Sequence, residues 1–195
     1  MSSRLELMRR QRAMLETLAQ GGGEARLLGV DPGMLELLGR RHPENIRDAL
    51  SVFLPVFLRC ADLDDAAIRT SFATRPGTAS AEVKLRLLVG CALGLKLGEP
   101  FAELIRLEAA AWRVKQAPQP LPEHVRSLRS GEPLGEVLEL RTNVVDGWRY
   151  PDFDPRGCFV WGPPRKVYLW WDGGLRQRVF RDHGELALAL ALGAA

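Results

Sequence analysis

Carboxylates, imidazoles and thiols are scattered along this chain, so the few close spacings carry most of the chemical information. In Tyr150-Pro151-Asp152-Phe153-Asp154-Pro155 two carboxylates lie two residues apart. Such a pair could share a metal ion or divide acid and base roles, although Asp-Pro steps also cap turns. His42, His124 and His183 are isolated from one another, and Asp182-His183 reads as a turn. Cys60, Cys91 and Cys158 are far apart, each beside apolar neighbours. With no Cys-x-x-Cys and no paired histidines there is no zinc spacing, and the cysteines read as buried free thiols of a reducing compartment. No Gly-x-Ser-x-Gly and no phosphate-binding loop occurs, and Gly21-Gly22-Gly23 follows a helical pattern rather than a strand, as a linker does. The expectation is a non-enzymatic protein with no catalytic residues, no bound metal and no cofactor.

Two other groupings suit binding. Arg40-Arg41-His42 is followed by Arg47 one turn into the next helical pattern. Two short helices joined by a tight turn at Pro43 would bring these arginines to a helix N-terminus, where phosphate contacts form. Arg40 and Arg41 also fit a solvated helix end, where cations meet the negative end of the dipole. The second grouping is aromatic: nine of the chain's fourteen aromatic residues fall between Trp148 and Phe180. They fit the core of a small β unit, a set of Trp and Arg interface anchors, or a base-stacking platform. Trp148, Tyr150 and Trp170 are the expected surface aromatics, with Arg176 and Arg178 beside them as partner-binding residues.

Helices are expected to position the basic cluster. Leu5, Met8, Leu15 and Leu18 share one face of a pattern over residues 4–20. Asp31 and Pro32 form an N-cap and first helical residue ahead of Met34, Leu35, Leu37 and Leu38, and a separate helix starts at Pro43. Residues 56–60 read as extended, then a helix covers 64–72. Ser80 caps an apolar helix over 81–95, whose Leu85, Leu88, Val89, Ala92 and Leu95 are expected core, and 101–115 form another. Pro118, Pro120, Pro122 and Pro133 with Gly131 and Gly135 mark a connector that includes a short helix at 123–129.

A hairpin positions the aromatics. Residues 166–171 and 175–181 flank Asp172-Gly173-Gly174, a strong turn signal. A three-residue loop sets Trp171 opposite Leu175 and Val167 opposite Val179 on an apolar face. Trp170 then faces Arg176, and Tyr168 faces Arg178, on the other. Residues 158–161 are a candidate third strand, and a short apolar helix over 185–192 could cover the hairpin. The expected fold is therefore α+β: a helical domain at 1–116, a connector at 117–141 and an aromatic β unit with a short C-terminal helix at 142–195.

Composition agrees with one or two small globular units. The chain of 195 residues is 46% hydrophobic and 26% charged, enough to bury about 70% of its unfolded surface. No window approaches a membrane span, and the charged first residues do not make a signal peptide, which points to a cytoplasmic protein. The net charge of +3 is mild, but the basic residues comprise 23 Arg and 4 Lys. A GC-rich coding sequence explains that bias, and a mild excess permits a nucleic-acid partner without requiring one.

Residues 27–72 resemble the FlhD-type flagellar transcription coactivators and related regulators of bacterial mobile elements. The likeness lies in Leu28-Gly29-Val30-Asp31, Met34, Leu38 and Ile46, then an extended Val56-Phe57-Leu58-Arg59 with Asp62, then a helix containing Ile68. The paired helices of 87–115 are similar as well. The partner coactivator's cysteine-rich zinc site has no equivalent here, nor has the Trp-rich C-terminal unit a counterpart in that family. The resemblance implies a DNA-binding or polymerase-contacting bacterial regulator working as a homo- or hetero-oligomer, with Arg40, Arg41 and Arg47 on DNA phosphates. The other expectation is a protein-binding module, such as a toxin-neutralising immunity protein or a secretion accessory, using the C-terminal aromatic surface. Neither reading involves a membrane.

Overall fold

The computed structural model describes residues 32–72, 80–117, 135–171 and 173–191, with side chains from residue 41 onward. The helix expected at 4–20, the glycine linker, the Asp31 cap and the helix at 123–129 lie outside the described residues. The architecture is α+β. Its helices are α1 (Pro32–Phe53), α2 (Pro55–Cys60), α3 (Asp65–Ser71), α4 (Ala81–Gly94) and α5 (Glu99–Gln116). Then follow β1 (Glu136–Thr142), the one-turn α6 (Val144–Gly147), a 3-10 turn (Pro155–Gly157), β2 (Val160–Trp171), β3 (Leu175–Phe180) and α7 (His183–Ala191). Among the described residues, no helix is long and apolar enough to cross a membrane.

The chain folds into two compact units that interleave in sequence. One comprises Met1–Val52 with Asp62–Leu95, and the other Phe53–Ala61 with Lys96–Ala195. The boundaries expected at 116 and 142 differ from this division because α5 packs directly on β1 and β2. An amphipathic helix buries its face against whichever sheet is available, and that contact outweighs the change of composition that follows it.

In the first unit, α1 is one continuous helix with Pro43 in its interior. This corrects the expectation of two helices hinged at Pro43. An interior proline lacks a backbone donor and costs about 3 kcal/mol or more. Burial of Pro43, Ile46 and Leu50 along the same helix offsets that cost. His42 is buried too and donates from Nε2 to the Phe72 carbonyl at 3.1 Å. Asp64 caps α3 by accepting from the Ala67 amide at 2.7 Å, and Ser80 caps α4 through the Val83 amide at 3.4 Å. Leu85, Leu88 and Ala92 are core as expected, whereas Val89 and Leu95 are only half-buried.

The second unit contains a three-stranded antiparallel sheet of order β1-β2-β3 together with α2, α5, α6 and α7. The hairpin register is the expected one: Trp171 opposite Leu175, Trp170 opposite Arg176, Tyr168 opposite Arg178 and Val167 opposite Val179. Gly173, at φ 62°, makes the turn that a side chain would strain. The third strand is not 158–161. Those residues run into β2, and the partner is β1, drawn from the stretch expected to be connector. Between Leu140 and Thr142 the β1–β2 register breaks, and Gly162-Pro163-Pro164 bulges out opposite it. Val167 and Leu169 alternate onto the α5 side of the sheet. Tyr168 and Phe180 point to the other side, where Leu186 and Leu190 of α7 cover them and Trp170 packs alongside.

Candidate partner-binding surface

The expected phosphate site does not assemble at a helix start. Arg40 and Arg41 lie in the interior of α1, with the Arg41 side chain exposed. Arg47 is committed to the chain itself: its guanidinium pairs with Asp65 at 2.6 Å and donates to the Leu63 carbonyl at 3.2 Å. Continuity of α1 through Pro43 removes the free backbone N–H groups that would have bound phosphate beside the arginines.

The five expected partner-binding residues separate into different environments. Trp148 is buried at 6% exposure and is not a surface aromatic. Its indole N–H donates to Gln177 Oε1 at 2.9 Å, and Gln177 Nε2 donates in turn to the Val145 carbonyl at 2.9 Å. An indole needs such a partner when buried, and β3 supplies it. Trp170 is also largely withdrawn, stacked on Tyr168 with ring centroids 5.2 Å apart and packed beside α7. Arg176 and Arg178 are exposed, and Arg178 lies over the Phe180 ring at 5.3 Å. Tyr150 alone of the three aromatics projects outward, at 64% exposure.

Two further residues that sequence reasoning missed join Tyr150 as exposed apolar groups. Phe159 and Val160 are 60% and 67% exposed. Their backbones are fixed. Asn143 donates its amide to the Phe159 carbonyl at 3.1 Å and accepts the Phe159 amide on Oδ1 at 2.9 Å, and Val160 pairs with Thr142. Tyr150 is held similarly, its amide on the Gly147 carbonyl at 2.8 Å and its own carbonyl accepting from Arg59 at 3.0 Å. Large apolar side chains displayed on restrained backbone are ready for contact with little ordering cost. The only sequence signal was Phe159-Val160 next to a Gly-Pro-Pro run, and it read equally well as an inward strand.

The remaining chemical groups are occupied by the fold. Asp154 caps the 3-10 turn through the Arg156 amide at 2.9 Å, while Asp152 is exposed. Asp182 accepts from the Glu185 amide at 2.9 Å at the start of α7. All three cysteines are free. Burial pushes the Cys91 and Cys158 thiols up, and Asp146, Asp154 and Glu103 raise Cys158 further. Such thiols are poor nucleophiles. Among the described residues no cluster of three or more His, Cys, Asp or Glu could hold a metal.

Two buried glutamates on α5 were also missed. Glu103, 1% exposed, accepts from the Arg141 and Thr142 amides and from Thr142 Oγ1, the last two at 2.9 and 2.6 Å. Glu108, 3% exposed, accepts from the Val56 amide at 2.7 Å and the Phe57 amide at 2.8 Å. Both carboxylates are filled by backbone donors, so neither faces a ligand. Leu104, Ala111 and Trp112, at helical spacing around Glu108, were the available sign that it points inward.

No family model, curated protein or solved structure matches the chain.

Proposed function

We propose that the protein is a non-enzymatic binding protein that engages a protein partner through Tyr150, Phe159 and Val160. The observation that supports this is their exposure in a unit that buries Phe57, Phe101, Trp148, Trp161, Tyr168 and Phe180. A unit that buries these rings has core available, so Tyr150, Phe159 and Val160, each more than half exposed on restrained backbone, call for a contact. Immunity and secretion-accessory proteins are the kinds of module this surface fits, in a reducing, cytoplasmic setting consistent with the free thiols. The regulator reading keeps its protein partner. Its DNA contact loses support, because α1 is continuous and Arg47 is paired within its own unit. The resemblance to FlhD-type coactivators loses its extended segment too, since residues 55–60 are helical.

Affinity capture from the native host tests the proposal. The wild-type chain should retain one stoichiometric protein and no DNA. A Tyr150→Ser/Phe159→Ser/Val160→Ser variant with an unchanged circular dichroism spectrum should lose it. Equal capture by the variant, or recovery of DNA with no protein, would overturn the reading.

A further inference from the structure

Strand β3 lies at an edge of the sheet, with β2 on its inner side. Along an antiparallel strand the backbone groups of successive residues point alternately to one neighbour and the other. The Leu169 carbonyl of β2 lies on the β1 side, 1.9 Å from where a Cβ on Gly135 would stand. Tyr168 and Trp170 therefore bond to β3, opposite Arg178 and Arg176. Leu175, Gln177 and Val179 turn their backbone groups away from the sheet, and the Leu175 carbonyl accordingly accepts from Arg149 at 2.9 Å. Among the described residues nothing bonds to the outward backbone groups of Gln177 and Val179. Exposed arginines flank them. Arg176 and Arg178 stand on the α7 face, and Arg149, over the Trp148 ring at 5.9 Å, closes the Leu175 end. We propose that the β3 edge binds an extended acidic peptide as a fourth strand, with carboxylates at alternate positions beside Arg176 and Arg178.

Strand addition draws affinity from main-chain hydrogen bonds, and the side chains along the edge select the occupant. Side chains alternate between faces, so every second residue of an added strand shares the α7 face with Arg176 and Arg178. The residues between them fall on the α5 side beside Gln177 and Val179, both half-buried, where an aliphatic group fits. Among the described residues no carboxylate pairs with Arg149 or Arg176. Asp182 and Glu185 lie past the Phe180 end and accept from the Glu185 and Arg181 amides. Charge on an edge strand keeps other strands away, and here it does so selectively. A second copy of β3 would set arginine against arginine, whereas an acidic strand gains an attraction at every second residue. The edge takes its own ligand and does not rest on the reading of Tyr150, Phe159 and Val160.

Amide hydrogen exchange on the full chain tests the edge, with acetyl-Thr-Glu-Val-Glu-Val-Glu-Thr-amide as the probe at about 50 mM salt. In the free chain the Gln177 and Val179 amides should exchange faster than those of Arg176 and Arg178. Peptide at about ten times its Kd should slow Gln177 and Val179 about 10-fold. The same peptide with lysine for glutamate should leave them unchanged. Arg176→Glu/Arg178→Glu should weaken the acidic peptide about 10-fold or more and admit the lysine peptide. Should that variant fail to fold, Arg176→Gln alone should weaken the acidic peptide about 3-fold. Slow exchange of Gln177 and Val179 in the free chain would overturn the proposal, as would no binding of the acidic peptide, binding that leaves both amides unchanged, or equal binding of the lysine peptide. Affinity unchanged in the arginine variants would also overturn it, and an oligothymidylate that displaces the acidic peptide would assign these arginines to nucleic acid instead.

Discussion

Glu103 and Glu108 show how one residue type takes different burdens on one helix. Glu103 satisfies three donors at the end of β1, and removing it orphans them all. Each stranded donor costs about 1–3 kcal/mol. Glu103→Ala should thus lower stability by at least about 3 kcal/mol in chemical denaturation, with Glu103→Gln losing less because one oxygen still accepts. Glu108 answers to pH instead. Its carboxyl is raised in the folded state, so folding takes up a proton, and stability falls as pH rises from 4.5 to about 7. That group alone should account for up to about 3 kcal/mol over the interval, with no further loss above it. Denaturation midpoints measured across the range should show the decline in the wild type and not in Glu108→Gln. Neither role was legible in the sequence. A glutamate in a helix ordinarily reads as exposed, and the donors that hold these two lie 38 to 52 residues away.

At the scale of elements, local signals succeeded where the chain's own neighbours settle the structure. The hairpin was readable to its register because Asp172-Gly173-Gly174 fixes the loop length and alternation fixes the faces. The cap at Ser80 was readable for the same reason. Elements decided by distant contacts were not. Helix α2 depends on Glu108, α1 continues through Pro43 because Pro43, Ile46 and Leu50 are buried, and β1 exists because β2 offers an edge. The β1–β2 packing leaves no room beside Gly135, where a Cβ would lie 1.9 Å from the Leu169 carbonyl oxygen. Gly135→Ala should therefore disturb the start of β1 and lower the melting temperature, and an unchanged melting temperature would refute that packing. Helix α7 stabilises the opposite face. Leu186→Ala and Leu190→Ala should each cost about 2–5 kcal/mol in equilibrium unfolding and increase Trp170 exposure, read as a red shift in tryptophan fluorescence.

For the molecule as a whole, aromatic concentration correctly pointed to an antiparallel sheet but misplaced the exposed aromatics. Cross-strand pairing drew Trp170 into the sheet, and Gln177 gave the Trp148 indole a buried partner. Outward display fell instead to residues on the α6–β2 connection, whose orientation follows from Asn143 and Arg59. The central claim is that this apolar display, rather than the arginines of α1, makes the functional contact. Titration calorimetry of the captured partner against wild-type chain and Phe159→Ser, from about 50 to about 300 mM salt, tests it most directly. An apolar anchor predicts a loss of about 2 kcal/mol, roughly 30-fold in affinity, in Phe159→Ser, with wild-type affinity nearly independent of salt. Unchanged affinity in Phe159→Ser, together with wild-type binding that weakens steeply as salt rises, would contradict it.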